Sequence, residues 1–196
     1  MGYTKNNIEI EHKYVIKMPN IKELIQYYDV NCPTFKLLRQ DYLQEMEKYK
    51  GFIGRVRAER IYSNYSWNNS YIKNENFYFT YKKYIGRGKR TEIEEKIDVR
   101  TYNAYMQYID TSYMPILKRR ICIPYTFEDG FHTDLEIDMY PFWQSQAILE
   151  IEVDSMKRVI PKLKGISIIK DVTDDVRYSN YNLAKHSGRV IREGEK

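Results

Sequence analysis

Hydrophobic and polar residues alternate at every second position through most of the chain, in short segments rich in Tyr, Ile, Val and Thr. Side chains of a β-strand point to opposite faces in turn, so this period predicts strands with one face in a core. Asn, Gly and Pro separate the segments, as is typical of turns. The pattern predicts eight strands, at residues 7–17, 35–45, 52–61, 76–83, 90–99, 115–124, 132–139 and 147–154.

Three further segments have helical spacing, at residues 21–28, 101–112 and 174–185. Residues 63–76 are rich in Asn and Ser and predict a long hairpin loop, and Gly86-Arg87-Gly88 predicts a tighter turn. Consecutive short strands with helices at only two junctions and at the end indicate one antiparallel sheet. The predicted fold is mainly β, of the α+β class: a closed eight-stranded antiparallel barrel with helices packed outside it.

The 196 residues suit a single domain, which we expect to span 1–186, followed by a flexible tail at 187–196 with little apolar content. Of the 29 aromatic residues 20 are Tyr, so much of the core must carry hydrogen-bonding tips. No apolar run is long enough for a membrane span or a signal peptide, and we expect a cytoplasmic protein. Only Cys32 and Cys122 are present, which excludes a disulfide framework and a CxxC metal site.

Charged residues of like sign repeat along one face of several predicted strands. On the first strand, Glu9, Glu11 and Lys13 share a face, and Ile8 and Ile10 lie on the other. The pattern returns in Arg55 with Arg57, Lys82, Arg90 with Glu92 and Glu94, Lys118 with Arg120, Glu136 with Asp138, and Glu150 with Glu152. For any one strand, a solvent-exposed sheet face is the simplest interpretation. A solvent-exposed face does not readily explain the repetition across strands, because neighbouring side chains of like charge repel each other unless a ligand of opposite charge compensates them.

Counted together, these positions supply eight acids and seven bases. If this face lines the interior of a barrel, the lumen is wet and charged. Clustered carboxylates are oxygen ligands for hard cations such as Mg²⁺ or Mn²⁺, and clustered Arg and Lys side chains bind phosphate oxygens. The residues therefore predict a site for a metal and a polyphosphate.

A series of motifs follows the same positions in chain order. They are Glu9-Ile10-Glu11-His12-Lys13, Gln40-Asp41-Tyr42-Leu43, Arg55-Val56-Arg57, Phe79-Thr80-Tyr81-Lys82, Arg90-Thr91-Glu92-Ile93-Glu94, Lys118-Arg119-Arg120, Leu135-Glu136-Ile137-Asp138, Glu150-Ile151-Glu152, and Asp171-Val172-Thr173 with Arg177-Tyr178-Ser179-Asn180 and Leu183-Ala184. In this combination the chain resembles the CYTH proteins, also called triphosphate tunnel metalloenzymes, and is most similar to the compact bacterial inorganic triphosphatases. His12, Tyr14 and Asp174 depart from the usual residues, but none of them removes a charged position.

The resemblance implies an eight-stranded tunnel that threads a triphosphate, with a C-terminal helix plugging one end. It implies that the plug presents a basic residue to the substrate, and Lys185 is the candidate. The alternative is that Lys185 lies at a solvated helix end. The implied substrate-binding residues are Lys13, Arg55, Arg57, Lys82, Arg90, Lys118, Arg120 and Lys185. One or two Mg²⁺ or Mn²⁺ ions would be held by Glu9, Glu11, Glu92, Glu94, Glu136, Asp138, Glu150 and Glu152. The implied catalytic residues are Glu9, Glu11, Lys13, Tyr42 and Lys82.

The expected activity is hydrolysis of a linear triphosphate, with inorganic tripolyphosphate as substrate and pyrophosphate and phosphate as products. A cyclase of the class IV type acting on ATP, or a thiamine triphosphatase, stays open, and Trp67 is a candidate for stacking on a base. The non-enzymatic alternative is a module that binds polyphosphate or a nucleotide. The basic turn at 86–90 does not make a nucleic-acid surface, since acids interleave with the bases. The expected partner is a small triphosphate, without a membrane, and a homodimer stays open.

Overall fold

The computed structural model describes residues 7–28, 33–64 and 71–185. The predicted tail 187–196 and Trp67 lie outside these residues. The strands are β1 (Asn7–Lys17), β2 (Thr34–Tyr42), β3 (Ile53–Tyr62), β4 (Ile72–Gly86), β5 (Lys89–Ile97), β6 (Ile116–Thr126), β7 (His132–Met139), β8 (Gln146–Glu152) and β9 (Ile168–Asp171). The helices are α1 (Ile21–Tyr27), α2 (Val99–Tyr105) and α3 (Asn180–Lys185), and short 3₁₀ turns lie at Glu47–Tyr49, Met106–Tyr108 and Val176–Tyr178.

Eight of the strands close into an antiparallel barrel, in the order β5-β4-β3-β2-β6-β7-β8-β1 with β1 paired again to β5. Closure depends on β1, whose first half pairs with β5, as in Glu9 opposite Arg90. From Glu11 onward β1 pairs with β8, as in Lys13 opposite Glu150. The predicted closed eight-stranded antiparallel barrel is therefore confirmed.

The ninth strand is an addition that the alternation did not predict. It pairs with β1 alone, from Tyr14 opposite Asp171 to Ile16 opposite Ile168, on the edge that β5 leaves uncovered. All four residues of β9 are exposed, so its sequence carries no alternation between a core face and a solvent face.

Other boundaries differ from prediction as well, among them those of β4 and of the C-terminal helix. β4 begins at Ile72, inside the segment expected to be a hairpin loop. The C-terminal helix is shorter than the predicted 174–185, because Ser179 has an extended backbone between the 3₁₀ turn and α3. The Ser179 Oγ accepts a hydrogen bond from the backbone N–H of Asn182 at 3.2 Å. This N-terminal cap starts a new helix instead of continuing the turn.

Three apolar clusters hold the barrel and its attachments together. One lies outside the barrel, where Leu24 of α1 packs with Ile16 and Ile121. A second lies under α2, where Tyr102 packs with Phe79. The third fills one end of the barrel, and its members include Tyr42, Ile116, Ile148, Tyr140, Leu183 and Ala184. We call residues 173–185 the plug segment, because the apolar residues of α3 close that end. Within the described part of the chain, none of the helices has the length and apolar character needed to cross a membrane.

Candidate functional site

The charged strand faces predicted from the alternation point into the barrel, where they line a cavity of about 1030 Å³. Of the predicted site residues, the cavity lining contains Glu9, Glu11, Lys13, Tyr42, Arg55, Arg57, Lys82, Arg90, Glu92, Glu94, Lys118, Arg120, Glu136, Glu150 and Glu152. Asp138 and Lys185 are the two that it does not contain. Strand alternation thus brings together residues that lie up to 143 positions apart in the chain, as between Glu9 and Glu152.

Acids and bases of β1, β5 and β8 pair with one another across this cavity. Lys13 Nζ lies 2.8 Å from Glu150 Oε1 and 3.2 Å from Glu11 Oε1. Arg90 forms a further ion pair with Glu11. Burial opposes the positive charge of Lys13, but Glu11 and Glu150 outweigh it and raise the pKa of the ammonium group above its usual value. Lys13 therefore stays charged at physiological pH.

Lys82 of β4 joins the first and fifth strands. Its Nζ lies 2.7 Å from Glu9 Oε2 and 2.9 Å from Glu92 Oε2. Burial acts against ionisation of Glu92, but Lys82 prevails and the pKa of that carboxyl group is lowered. Glu92 is therefore an anionic partner of the Lys82 ammonium group, and a phosphate could take its place.

Asp138 has a structural position that the sequence did not reveal. Its side chain is 0% exposed and lies behind the cavity wall. Lys118 and the Arg120 guanidinium both donate to it, with Arg120 Nε 2.6 Å from Oδ1 and Nη2 2.6 Å from Oδ2. Arg120 also pairs with Glu136, and its Nη2 lies 2.6 Å from Glu150 Oε2. Both oxygens of Asp138 therefore position Lys118 and Arg120 in this structure, and its assignment as a metal ligand stays a prediction.

Lys118 is a cavity base whose charged form is disfavoured by burial. It is 1% exposed, and burial followed by the nearby Arg120 charge lowers its pKa to about 8, although Asp138 acts in the opposite direction. A phosphate oxygen bound here would add further negative charge and favour the charged ammonium form.

Uncharged neighbours orient the arginines of β3, a role that the sequence pattern did not indicate. The Arg57 guanidinium lies 4.7 Å from the Tyr78 ring centroid, and its Nη2 is 3.2 Å from Glu94 Oε2. Thr80 donates its hydroxyl to the same Glu94 oxygen at 3.1 Å. Arg55 Nη1 donates to Gln40 Oε1 at 3.4 Å. Strand periodicity could have identified Gln40 and Tyr78, since each lies two positions from a predicted site residue or its cross-strand partner.

The carboxylates suit a hard divalent cation in their chemistry. Glu152 lies opposite Glu11 in the β1–β8 pairing. Burial, with the charges of Glu9 and Glu136 added, raises the pKa of Glu152 to about 7. This donor set consists of carboxylate oxygens, the ligand type that Mg²⁺ and Mn²⁺ prefer. In residues 7–28, 33–64 and 71–185, however, no three His, Cys, Asp or Glu side chains are arranged to hold a metal ion. The bases hold most of these acids, so cation binding requires them to exchange partners.

The plug segment supplies the wall at the closed end. Its residues in the cavity lining are Thr173, Asp174, Asp175, Val176, Ser179, Asn180, Tyr181 and Asn182. Lys185 lies one helical turn beyond Tyr181, with its Nζ 4.2 Å from the Tyr181 ring centroid and 5.9 Å from that of Tyr113. The Lys185 ammonium group covers tyrosine rings at an exposed position outside the cavity lining, and its contact with the substrate stays a prediction.

Tyr42 lies where the cavity meets the plug. It is buried, and its ring packs 5.3 Å from the Tyr181 ring and 5.7 Å from the Tyr113 ring, measured between centroids. Burial raises the pKa of Tyr42 to about 12, although Arg55 and Lys13 act to lower it. The phenol is therefore protonated at neutral pH and is suited to donating a hydrogen bond.

No protein-family model matches the chain, and none of the curated proteins matches it. Among solved structures, the chain is similar to the inorganic triphosphatase NE1496, with 20% sequence identity and a TM-score of 0.48 over 90% of this chain and 94% of the other. It is similar to the PH1819 protein from Pyrococcus horikoshii OT3, with 17% identity and a TM-score of 0.45 over 74% and 80% of the two chains. It is also similar to HpAC1 from Hippeastrum, described as having a dominant triphosphatase activity, with 13% identity and a TM-score of 0.41 over 74% and 80%. The closed eight-stranded barrel is the architecture that the resemblance to the triphosphate tunnel metalloenzymes implies.

Proposed function

We propose that this chain hydrolyses linear triphosphates with the help of a divalent cation, and that inorganic tripolyphosphate is its substrate. The observation that carries the proposal is the convergence of Lys13, Arg55, Arg57, Lys82, Arg90, Lys118 and Arg120 on one cavity, interleaved with carboxylates. A cavity for an anion alone would not need the carboxylates. A cavity for a cation alone would not need the bases.

The ion pairs of the cavity explain how one ligand would prepare the site for the other. When phosphate oxygens bind Lys82, they compete with Glu9 and Glu92 for the same ammonium group. The released carboxylates then become available to a cation, so the triphosphate and the cation should each raise the affinity for the other. This mutual dependence makes a metal complex of the triphosphate the ligand that best suits the site.

Phosphoryl transfer asks for little covalent chemistry from the protein, since positioning and charge stabilisation supply most of the acceleration. The bases would hold the phosphate chain extended and neutralise the charge that builds up on its oxygens. The bound cation would contribute Lewis-acid stabilisation and orient the attacking water. Glu9 or Glu11 would accept the proton of that water, since both lie in the cavity and both face bases that a substrate would engage. Glu150, Glu152, Glu92 and Glu94 would complete the oxygen ligands.

A second candidate, cyclisation of ATP, is favoured by one observation. Tyr84 and Ile53 line the cavity and are nevertheless 57% and 38% exposed. An exposed ring at the mouth offers a stacking surface for adenine, which tripolyphosphate would leave unused.

Phosphorus NMR separates these activities directly. Purified protein is incubated with tripolyphosphate and, separately, with ATP, each with Mg²⁺, with Mn²⁺ and with EDTA. Conversion of tripolyphosphate to pyrophosphate and phosphate, with ATP unchanged and no turnover in EDTA, is the expected result. Pyrophosphate released from ATP together with cyclic AMP would favour the cyclase. Binding without product from either compound would refute hydrolysis and favour a binding module.

The variants Arg57→Gln and Arg60→Gln provide a matched pair for the same assay. Both residues lie on β3, but Arg57 faces the cavity, while Arg60 pairs with Glu75 at 2.6 Å on the exposed face. Loss of turnover only in Arg57→Gln supports the cavity as the site. Equal activity of the two variants would contradict it.

A further inference from the structure

Asn180, the first residue of α3, lies in the cavity lining and is hydrogen-bonded to a buried tyrosine. Its Oδ1 accepts a hydrogen bond from the Tyr140 hydroxyl at 2.6 Å. Tyr140 is 3% exposed and packs against Trp143 and Phe142, with ring centroids 5.2 Å and 5.1 Å away. The tyrosine therefore holds the asparagine oxygen at a fixed point of the plugged end.

Fixing the oxygen also fixes the nitrogen, because the carboxamide group is planar with its oxygen and its NH₂ group on opposite sides. Asn180 Nδ2 carries two hydrogens, and the described residues provide no hydrogen-bond partner for either. A half-buried amide donor without a protein partner, at the wall of a cavity lined by phosphate-binding bases, is suited to an anionic oxygen.

Tyr140 also contacts one of the cavity bases. Lys118 Nζ lies 5.9 Å from the Tyr140 ring centroid. The plug segment also contacts β1, where the Lys13 backbone N–H donates to Thr173 Oγ1 at 3.1 Å. The amide thus adds a neutral donor to a cavity whose lining also includes Lys13 and Lys118.

We propose that Asn180 contacts the substrate directly, donating Nδ2–H to an oxygen of the phosphate bound at the plugged end, and that Tyr140 is the positioning residue that orients this amide. This inference rests on the proposed function and refines it. The contribution of the plug to the substrate is an amide donor, while Lys185 stays on the tyrosine rings outside the cavity.

Asn182, two residues further along the same helix, provides the contrast. Its Nδ2 donates to the backbone carbonyl oxygen of Val176 at 2.7 Å, and its backbone N–H donates to Ser179 Oγ. Its donor is therefore already used within the plug segment. Asn182→Ala should lower thermal stability, whereas Asn180→Ala should weaken substrate binding.

The first test is steady-state kinetics with tripolyphosphate and Mg²⁺. Hydrogen bonds to charged groups are among the stronger ones, so we expect Asn180→Ala to raise KM about tenfold or more. Asn180→Asp should be worse, because its carboxylate repels phosphate. An unchanged KM in Asn180→Ala would overturn the inference.

The role of Tyr140 is tested by combining substitutions. If Tyr140 acts through Asn180, Tyr140→Phe raises KM in the wild-type background and has no further effect on KM in Asn180→Ala. Additive effects of the two substitutions would show that Tyr140 has only a general structural role.

A direct readout on the wild-type protein does not depend on any variant's turnover. The side-chain NH₂ resonances of Asn180 are identified in a ¹⁵N spectrum by their absence from that of Asn180→Ala. Added tripolyphosphate should shift them and leave those of Asn182 in place. Shifted resonances without hydrolysis in the phosphorus assay would refute the proposed function and retain the contact. Hydrolysis with unshifted resonances would overturn the contact and retain the function.

Discussion

Asp138→Asn is the substitution whose consequence follows most directly from the structure. The change keeps the shape of the side chain and removes a negative charge that is wholly buried. Lys118 has its ion pair with this group, while Arg120 keeps Glu136 and Glu150 as further partners. The NH₂ group of the new asparagine also faces Lys118 or Arg120, which are donors, so the hydrogen bond that the carboxylate oxygen accepted there is lost.

Removing one member of a buried ion pair costs about 3–5 kcal/mol, because the remaining charge is left uncompensated in a poorly hydrated place. The retained partners of Arg120 place our expectation at the lower end, about 3 kcal/mol of unfolding free energy. A domain of this length shifts its Tm by about 2–4 °C per kcal/mol. We therefore expect Asp138→Asn to melt about 6–12 °C below the wild type.

Differential scanning calorimetry in EDTA measures this effect without any contribution from bound metal. Asp134→Asn is the matched control, since Asp134 lies on the same strand and is exposed, and its Tm should change by no more than about 1–2 °C. A decrease below about 2 °C for Asp138→Asn would refute the structural role assigned here. An unchanged Tm combined with a changed metal dependence of turnover would favour Asp138 as a metal ligand.

Three further predictions concern the cavity and its plug. Tyr78→Leu removes the ring beneath the Arg57 guanidinium and should raise KM for tripolyphosphate about two- to fivefold, as measured by steady-state kinetics, because a cation–π contact contributes about 0.5–1 kcal/mol. Since the pKa of Lys118 is lowered to about 8, its positive charge is lost as the pH rises through that value, and kcat/KM should fall on the alkaline side; Lys118→Arg should flatten that limb of the pH profile. Leu183→Ala should lower the free energy of unfolding in urea by about 2–5 kcal/mol, because Leu183 is buried between the plug and the barrel; an unchanged midpoint would show that α3 is not docked there.

Much of the barrel could be predicted from the sequence because its strands are half-buried. In β1, the alternation of Glu9 and Glu11 with Ile8 and Ile10 locates the strand and assigns its two faces. The same alternation fails for β9, whose residues are all exposed. Helical spacing also predicts too long a last helix, because the hydroxyl of Ser179 starts a new helix within an otherwise continuous helical pattern.

The candidate site was predicted in its composition and not in its arrangement. Charges repeating at every second position identified the bases and acids that share the cavity, since side chains of a strand alternate between faces. Gln40 and Asn180 belong to the motifs of the resemblance but received no role, and Tyr78 was not named, because an isolated polar residue in a strand or a helix is ordinary. Their roles depend on the residue they touch, which lies on another strand or helix.

The sequence by itself determined the eight barrel strands, the face on which each charged side chain lies and the types of ligand that those charges suit. These are local properties, fixed by the two-residue period of a strand and by the chemistry of each side chain. The tertiary structure decided which charges neutralise one another, that Asp138 lies behind the wall and that Lys185 lies outside the cavity lining. Pairing and burial depend on strand register, barrel closure and the docking of the plug, which are set by contacts between residues far apart in the chain.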